Sequence, residues 1–387
     1  MNRIQFNSRA RASAFSVIGS AAAVALVLAG CSPSEDSIAS SSSESSTVTP
    51  DSTATAASAD ADVVTLAAAF MATLDSEQLE ALSQDYTFAN ASNWSNFPNQ
   101  LLANGPGGGP GGGSSSSSGR IGLQTDSLTD EQWTALENLL AAVTGSSENE
   151  GFDEIIQHLE ADNYLADNGG GDAYGEGQFF IAFLGEPSDT GTWELQFGGH
   201  HLALSNTYTD GVLAGATPSF RGIEPFTTVE VDGDTVVAEQ QEQEAFAALL
   251  ASLSADQLSA ATLSSSFNDL LLGPGEDWAF PETSEGLKGS DLTDEQKDLL
   301  LAAINTYVDD VDDASAAAIL AEYESELDDT YIAFSGTTNM TEIGDYIRID
   351  GPSVWIEFSQ QGGIVLDGAH PHAVWRDKTN DYGGLTS

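Results

Sequence analysis

Three segments of this chain occur twice in the same order, and that duplication constrains the fold more than any single motif. Thr73-Leu74-Asp75-Ser76-Glu77-Gln78-Leu79 is answered by Ser252-Leu253-Ser254-Ala255-Asp256-Gln257-Leu258. Leu128-Thr129-Asp130-Glu131-Gln132 is answered by Leu292-Thr293-Asp294-Glu295-Gln296, and Phe180-Ile181-Ala182-Phe183 by Tyr331-Ile332-Ala333-Phe334. Two related halves follow, about 63–230 and about 236–387, in one domain over 63–387. Each half reads as helices first and strands second. Thr129 and Thr293 are helix N-caps with acids in the first turn, and Trp133, Leu136, Leu139 and Leu140 follow at helical spacing. Phe179–Phe183, Thr192–Phe197, Leu202–Tyr208, Tyr346–Ile349 and Val354–Phe358 are short, branched and aromatic, which is strand composition. Asp232-Gly233 is a hairpin turn signal. Helices followed by strands argue an α+β fold, two helix-then-antiparallel-sheet halves packed face to face about a pseudo-twofold axis.

The first 30 residues read as an address. Arg3, Arg9 and Arg11 precede an apolar run that ends in Leu28-Ala29-Gly30-Cys31, the pattern of a bacterial lipoprotein signal peptide. Cys31, the single cysteine, is the expected lipidation site, which predicts an exported protein anchored to the outer face of the cell membrane. Residues 31–62 lack large apolar side chains in number and read as a disordered Ser/Thr/Asp tether. The Gly/Ser stretch 105–119 reads as a surface loop inside the first half. Sixty acidic residues against ten basic ones exclude nucleic acid, whose phosphates need Lys and Arg. The membrane is then a partner only through the N-terminal lipid. The acidic run Asp309–Asp313 lacks the glycine and closing glutamate of an EF-hand loop.

Gly199-His200-His201-Leu202, Thr217-Pro218-Ser219-Phe220-Arg221-Gly222, Ile356-Glu357-Phe358, His370-Pro371-His372-Ala373-Val374-Trp375-Arg376-Asp377 and Asn380-Asp381-Tyr382-Gly383 share one pattern. Together they resemble domain-of-unknown-function family 3500, over roughly Val63 to the C-terminus. The resemblance implies a common fold and a common site without supplying an activity.

Four of the five histidines stand in two pairs, and clustered imidazole suits a metal site or an acid/base pair. On a strand His370 and His372 share a face, whereas His200 and His201 point to opposite faces. His201 alternates with Ala203 and Ser205, so it is favoured over His200 as a ligand. His201, His370 and His372, with His200 as the reserve, form a candidate site for a divalent transition metal, zinc first. Glu357 and Asp377 are the candidate catalytic carboxylates, with Asp381 behind them, and Arg376, Trp375 and Arg221 the candidate substrate contacts. Isolated in its helical run, His158 reads as a surface residue. Three readings stay open for the histidines: a metal site, a hydrogen-bonded structural cluster, and a metal-free ligand pocket. Two functions match them. One is a metal-dependent hydrolase; the other is a lipid-tethered extracellular protein that binds a small molecule or polymer, with Trp193 as a further contact. Gly-x-Ser-x-Gly, His-Glu-x-x-His, phosphate-loop and dinucleotide patterns are all absent.

Overall fold

A computed structural model describes residues 62–99, 102, 119–231 and 234–386. The leader, Cys31, the tether up to residue 61, the Gly/Ser loop up to residue 118 and the Asp232-Gly233 turn lie outside the described residues. The chain is mixed helix and sheet, α+β in class. The longer helices of the first half are Val63–Thr73, Ser76–Leu82, Asp130–Val143 and Gly151–Leu165; those of the second are Gln240–Ser252, Ala255–Ala261, Asp294–Val308 and Asp313–Glu326. Among the described residues no helix is long and apolar enough to cross a membrane.

The repeated Leu-Thr-Asp-Glu-Gln segment has a mechanical reason. Thr129 Oγ1 accepts from the Gln132 amide while the Gln132 side chain accepts from the Thr129 amide, a closed capping box. The same glutamine then donates to the Thr73 carbonyl at 2.9 Å and to Gln78 at 2.8 Å, tying two helix ends together. Thr293 and Gln296 repeat each bond, to Ser252 at 2.8 Å and Gln257 at 3.1 Å.

The strands are β1 (Ser83–Gln84), β2 (Leu123–Gln124), β3 (Phe180–Leu184), β4 (Thr192–Gly199), β5 (Leu202–Thr209), β6 (Val212–Gly215), β7 (Ser219–Gly222), β8 (Val229–Val231), β9 (Asp234–Val236), β10 (Leu287–Lys288), β11 (Tyr331–Ser335), β12 (Tyr346–Asp350), β13 (Val354–Gly362) and β14 (Ala369–Asp377). β8 and β9 pair as the expected hairpin. The rest form one sheet in the order β1-β3-β4-β5-β7-β14-β13-β12-β11-β10, with β2 on β3 and β6 on β5. This corrects the expected face-to-face packing of two sheets. The halves meet edge to edge, where β7 pairs antiparallel with β14 in the register His372↔Gly222 to Trp375↔Ser219. Short antiparallel edges with unmet N–H and C=O groups can be satisfied by joining, and here they are.

The two faces differ in chemistry. One carries Ile181, Phe183, Leu195, Leu204, Ile347, Ile349, Ile356 and Trp375 against the helices. The other carries Ala182, Ala203, Phe220 and Val374 under irregular segments that bring Trp94, Leu270, Trp278 and Tyr382. Strand alternation puts Glu194, Gln196, Glu357, His370, His372 and Arg376 on this second face.

Glu194 there is fully buried, accepting from Gln196 Nε2 at 2.7 Å and Thr207 Oγ1 at 3.0 Å. Burial pushes its carboxyl up to about 7, against the pull of those two bonds. The raised folded value means that its contribution to stability is complete below the unfolded pKa and is lost as pH rises through about 7. Glu194→Gln keeps an acceptor for Gln196 and a donor for Thr207 while removing the ionisation. Its stability relative to wild type should therefore rise between about pH 5 and pH 8, by on the order of 3 kcal/mol, read from urea midpoints across that range. A difference independent of pH would contradict this account of Glu194.

Candidate metal centre

His201, His370 and His372 converge. They are 171 and 2 residues from their neighbours in sequence, yet His372 Nε2 lies 3.2 Å from His201 Nε2 and 3.3 Å from His370 Nε2. One nitrogen from each ring falls in a group whose members are all within 4.8 Å. Nitrogens about 2.0–2.1 Å from a tetrahedral ion stand about 3.3 Å apart, so the observed spacings are those of a ligand set.

The local backbone explains how the rings meet. β4 and β5 are joined by a two-residue hairpin, and His200-His201 is that turn. His201 has φ 61°, the left-handed conformation that tight hairpins require and that few non-glycine residues take. The expectation that the two rings point to opposite faces of a strand is thereby corrected: they stack, with centroids 3.7 Å apart. The pair does not resemble the usual Asn-Gly or Asp-Gly turn, so nothing in its composition marks a hairpin. Gly222, opposite His372, makes room for the arrangement. A Cβ there would stand 2.9 Å from the Pro371 carbonyl and 3.3 Å from the His201 ring.

His200, the reserve ligand, is outside the group. Its Nδ1 is 2.7 Å from the Asp162 carboxylate, and its ring backs His201. His372 Nδ1 faces Asp269 at 3.1 Å, an outer partner that orients the imidazole with Nε2 turned inward. Asp269 lies in the irregular 263–286 segment, where no periodicity could have marked it. Desolvation, reinforced by the neighbouring imidazoles, holds His201 well below the ordinary histidine range and His370 at about 3. Both rings are therefore neutral at pH 7, the state that ligates.

The same distances admit a metal-free cluster: with its Nδ1 proton on Asp269, His372 Nε2 accepts from a protonated Nε2 of His201 or His370, and His370 Nδ1 has no partner to hold a proton there instead.

The other candidate site residues are elsewhere. Glu357 is buried on β13, accepting from the Leu271 and Leu272 amides, the Tyr346 hydroxyl and the Trp355 indole. Asp377 closes the far end of β14, about 16 Å along the strand from His372, where it accepts from Tyr323, Thr379 and Asn380. Asp381 pairs with Arg376 at 3.0 Å. Arg376 and Arg221 are buried ion-pair partners rather than free anion clamps, the latter with Glu154 and Asp310, both at 2.9 Å. Trp375 and Trp193 lie in the core beneath the helices. None of the expected carboxylates or contacts thus faces the three histidines with a free group.

His158 is not a surface residue: it is 2% exposed, with Nδ1 2.9 Å from the Glu154 carbonyl. The Gly151–Leu165 helix buries a polar row, Glu154, His158 and Asp162, at four-residue spacing, so hydropathy alone misassigns that face.

No curated protein and no solved structure matches the chain. A family model described as Protein of unknown function (DUF3500) matches residues 56–384, which includes both histidine pairs and the whole described sheet, and the chain belongs to that family.

Proposed function

We propose that His201, His370 and His372 hold one divalent transition metal, zinc first, and that this centre serves a hydrolase. The observation that carries the reading is the spacing of three Nε2 atoms, His372 at 3.2 Å from His201 and 3.3 Å from His370. A metal held by these three residues would supply Lewis acidity to a hydrolytic reaction. The chain's own part is to hold the rings. Asp269 orients His372, His200 and Asp162 buttress His201, and desolvation keeps His201 and His370 unprotonated. Asp269, 43% exposed on its side chain, is the nearest carboxylate with access to solvent.

The alternative, a tethered binding protein without catalysis, rested on Trp375, Trp193 and Arg376. All three are buried, Trp375 and Arg376 hydrogen-bonded and Trp193 stacked on Tyr208, so none presents a surface to a ligand. The leader ending in Leu28-Ala29-Gly30-Cys31 supports an exported lipoprotein held on the outer face of the membrane. The matched capping boxes and glutamine ties support two halves related by a pseudo-twofold, with the metal centre at their junction.

Elemental analysis of the full chain, refolded with zinc and desalted, tests the centre. The wild type should carry about one equivalent more than His370→Ala/His372→Ala, with both giving the same circular dichroism. Equal metal content in two folded proteins would overturn the reading. Once the equivalent is established, an ester and phosphoester screen with and without chelator tests the hydrolase: activity insensitive to metal would separate the two halves of the proposal.

A further inference from the structure

On the opposite face of the sheet, under β7, a second group of ligating side chains is buried around a single guanidinium. Phe220 packs with His372, and Arg221, next along the strand, points the other way to the helices. Around it gather Glu150 and Glu154 from the Gly151–Leu165 helix and its entry, Asp310 after Asp294–Val308, and Glu239 and Glu242 at the start of Gln240–Ser252. Five carboxyl groups face one guanidinium.

Their hydrogen bonding does not close. Both oxygens of Glu239 lack a partner, although that residue is fully buried. So do Glu154 Oε1, Glu150 Oε2, Glu242 Oε2 and the Tyr307 hydroxyl. Protonation lets one carboxyl donate to its neighbour, as Glu154 and Asp310 do, but it brings no partner to His158 within hydrogen-bond distance. The independent sign of a ligand is His158. Its Nδ1 is committed to the Glu154 carbonyl, which turns the Nε2 lone pair into the cluster, and Nε2 has no partner. The nearest carboxylate oxygen, on Glu239, is 3.9 Å away. That is too long for a hydrogen bond and short enough for one ion to reach both atoms.

We infer that Glu154, His158 and Glu239 bind a second divalent cation, with Glu150, Glu242 and Asp310 completing its surroundings. Glu154 has Oε1 free for the ion while its Oε2 accepts from Arg221 at 2.9 Å. The donor set is several carboxylate oxygens with a single imidazole. Calcium and magnesium take oxygen-only shells and zinc at closed sites takes more nitrogen or sulfur, so the set suits manganese(II) best. Burial, reinforced by the neighbouring carboxylates, raises Glu150, Glu239 and Glu242 above the usual carboxylate range, a shift that a bound cation would oppose. The site is independent of the three histidines: it uses none of them and lies on the other face.

Because every ligand is buried, loading belongs to folding, and the test uses refolding. Full-length wild type, Glu239→Gln and His158→Gln are unfolded in guanidinium with chelator, refolded with manganese chloride and zinc, desalted, and assayed by elemental analysis and manganese electron paramagnetic resonance. Wild type should retain about one manganese per chain and both variants less than about a tenth of that, with zinc content unchanged. The thermal midpoint should rise on refolding with manganese in wild type and not in Glu239→Gln. Should either variant fail to refold, wild type alone decides: no retained manganese and a midpoint indifferent to it overturn the site. Manganese retained equally in folded Glu239→Gln overturns it as well. His370→Ala/His372→Ala separates the two centres, since it should lose zinc and keep manganese.

Discussion

Replacing Arg376 with alanine should destabilise the protein by about 3–5 kcal/mol, the range found when one partner of a buried ion pair is removed. Arg376 is fully buried, and its guanidinium joins three parts of the chain. Nη1 pairs with Asp381 at 3.0 Å, Nη2 with Asp277 at 3.2 Å, and Nε donates to the Leu272 carbonyl at 2.9 Å. The Trp94 ring lies over it at 5.3 Å. Alanine leaves Asp381 buried without its cation and frees the 272–277 segment from β14. Arg376→Lys restores charge but not the fork, so it should recover only part of the loss. Urea midpoints decide it. A cost below about 1 kcal/mol for alanine would mean that the segment is held by something else.

Glu357→Ala should cost a similar amount, about 3–5 kcal/mol, because four buried donors lose one acceptor group. Oε2 takes the Leu271 amide at 2.6 Å and the Tyr346 hydroxyl at 2.6 Å; Oε1 takes the Leu272 amide at 2.9 Å and the Trp355 indole at 2.8 Å. Glutamine is no remedy, since its NH2 must face two donors whichever way the amide turns. A catalytic base would behave otherwise, with activity lost and stability kept for Glu357→Gln. Thermal melts of both variants beside any activity found therefore separate anchor from base. Glu357 and Arg376 hold the same segment at adjacent residues, Leu271 and Leu272, so the double variant should cost less than the sum of the singles.

What the sequence disclosed was local. The capping boxes at Thr129 and Thr293 are set within four residues, and the strands from Phe180 and Tyr346 announce themselves by composition, so both were legible. The fold class followed from their order. How the halves join did not, because β7 is four residues long and its pairing with β14 is written in neither strand. Among the metal candidates, His370 and His372 were readable from strand alternation, whereas His201 reaches them through a turn that its residues do not advertise. Glu150, Glu154, Glu239 and Glu242 were hidden by abundance: in a chain with sixty acids, nothing local separates a buried carboxyl from a solvated one. His158 was misread for the same reason, since it shares its helix face with Glu154 rather than with apolar residues.

β14 follows all other strands among the described residues, yet it lies inside the sheet, between β7 and β13. During synthesis both neighbours emerge before it, so each waits with an unpaired edge until the final segment arrives. Contacts as distant as His201 with His372, 171 residues apart, slow such a closure, and open strand edges during the wait invite pairing between copies. A chain truncated before Ala369 keeps both open edges permanently. Its failure would be aggregation through β7 and β13, with each edge seeking in another molecule the strand that its own chain never supplied.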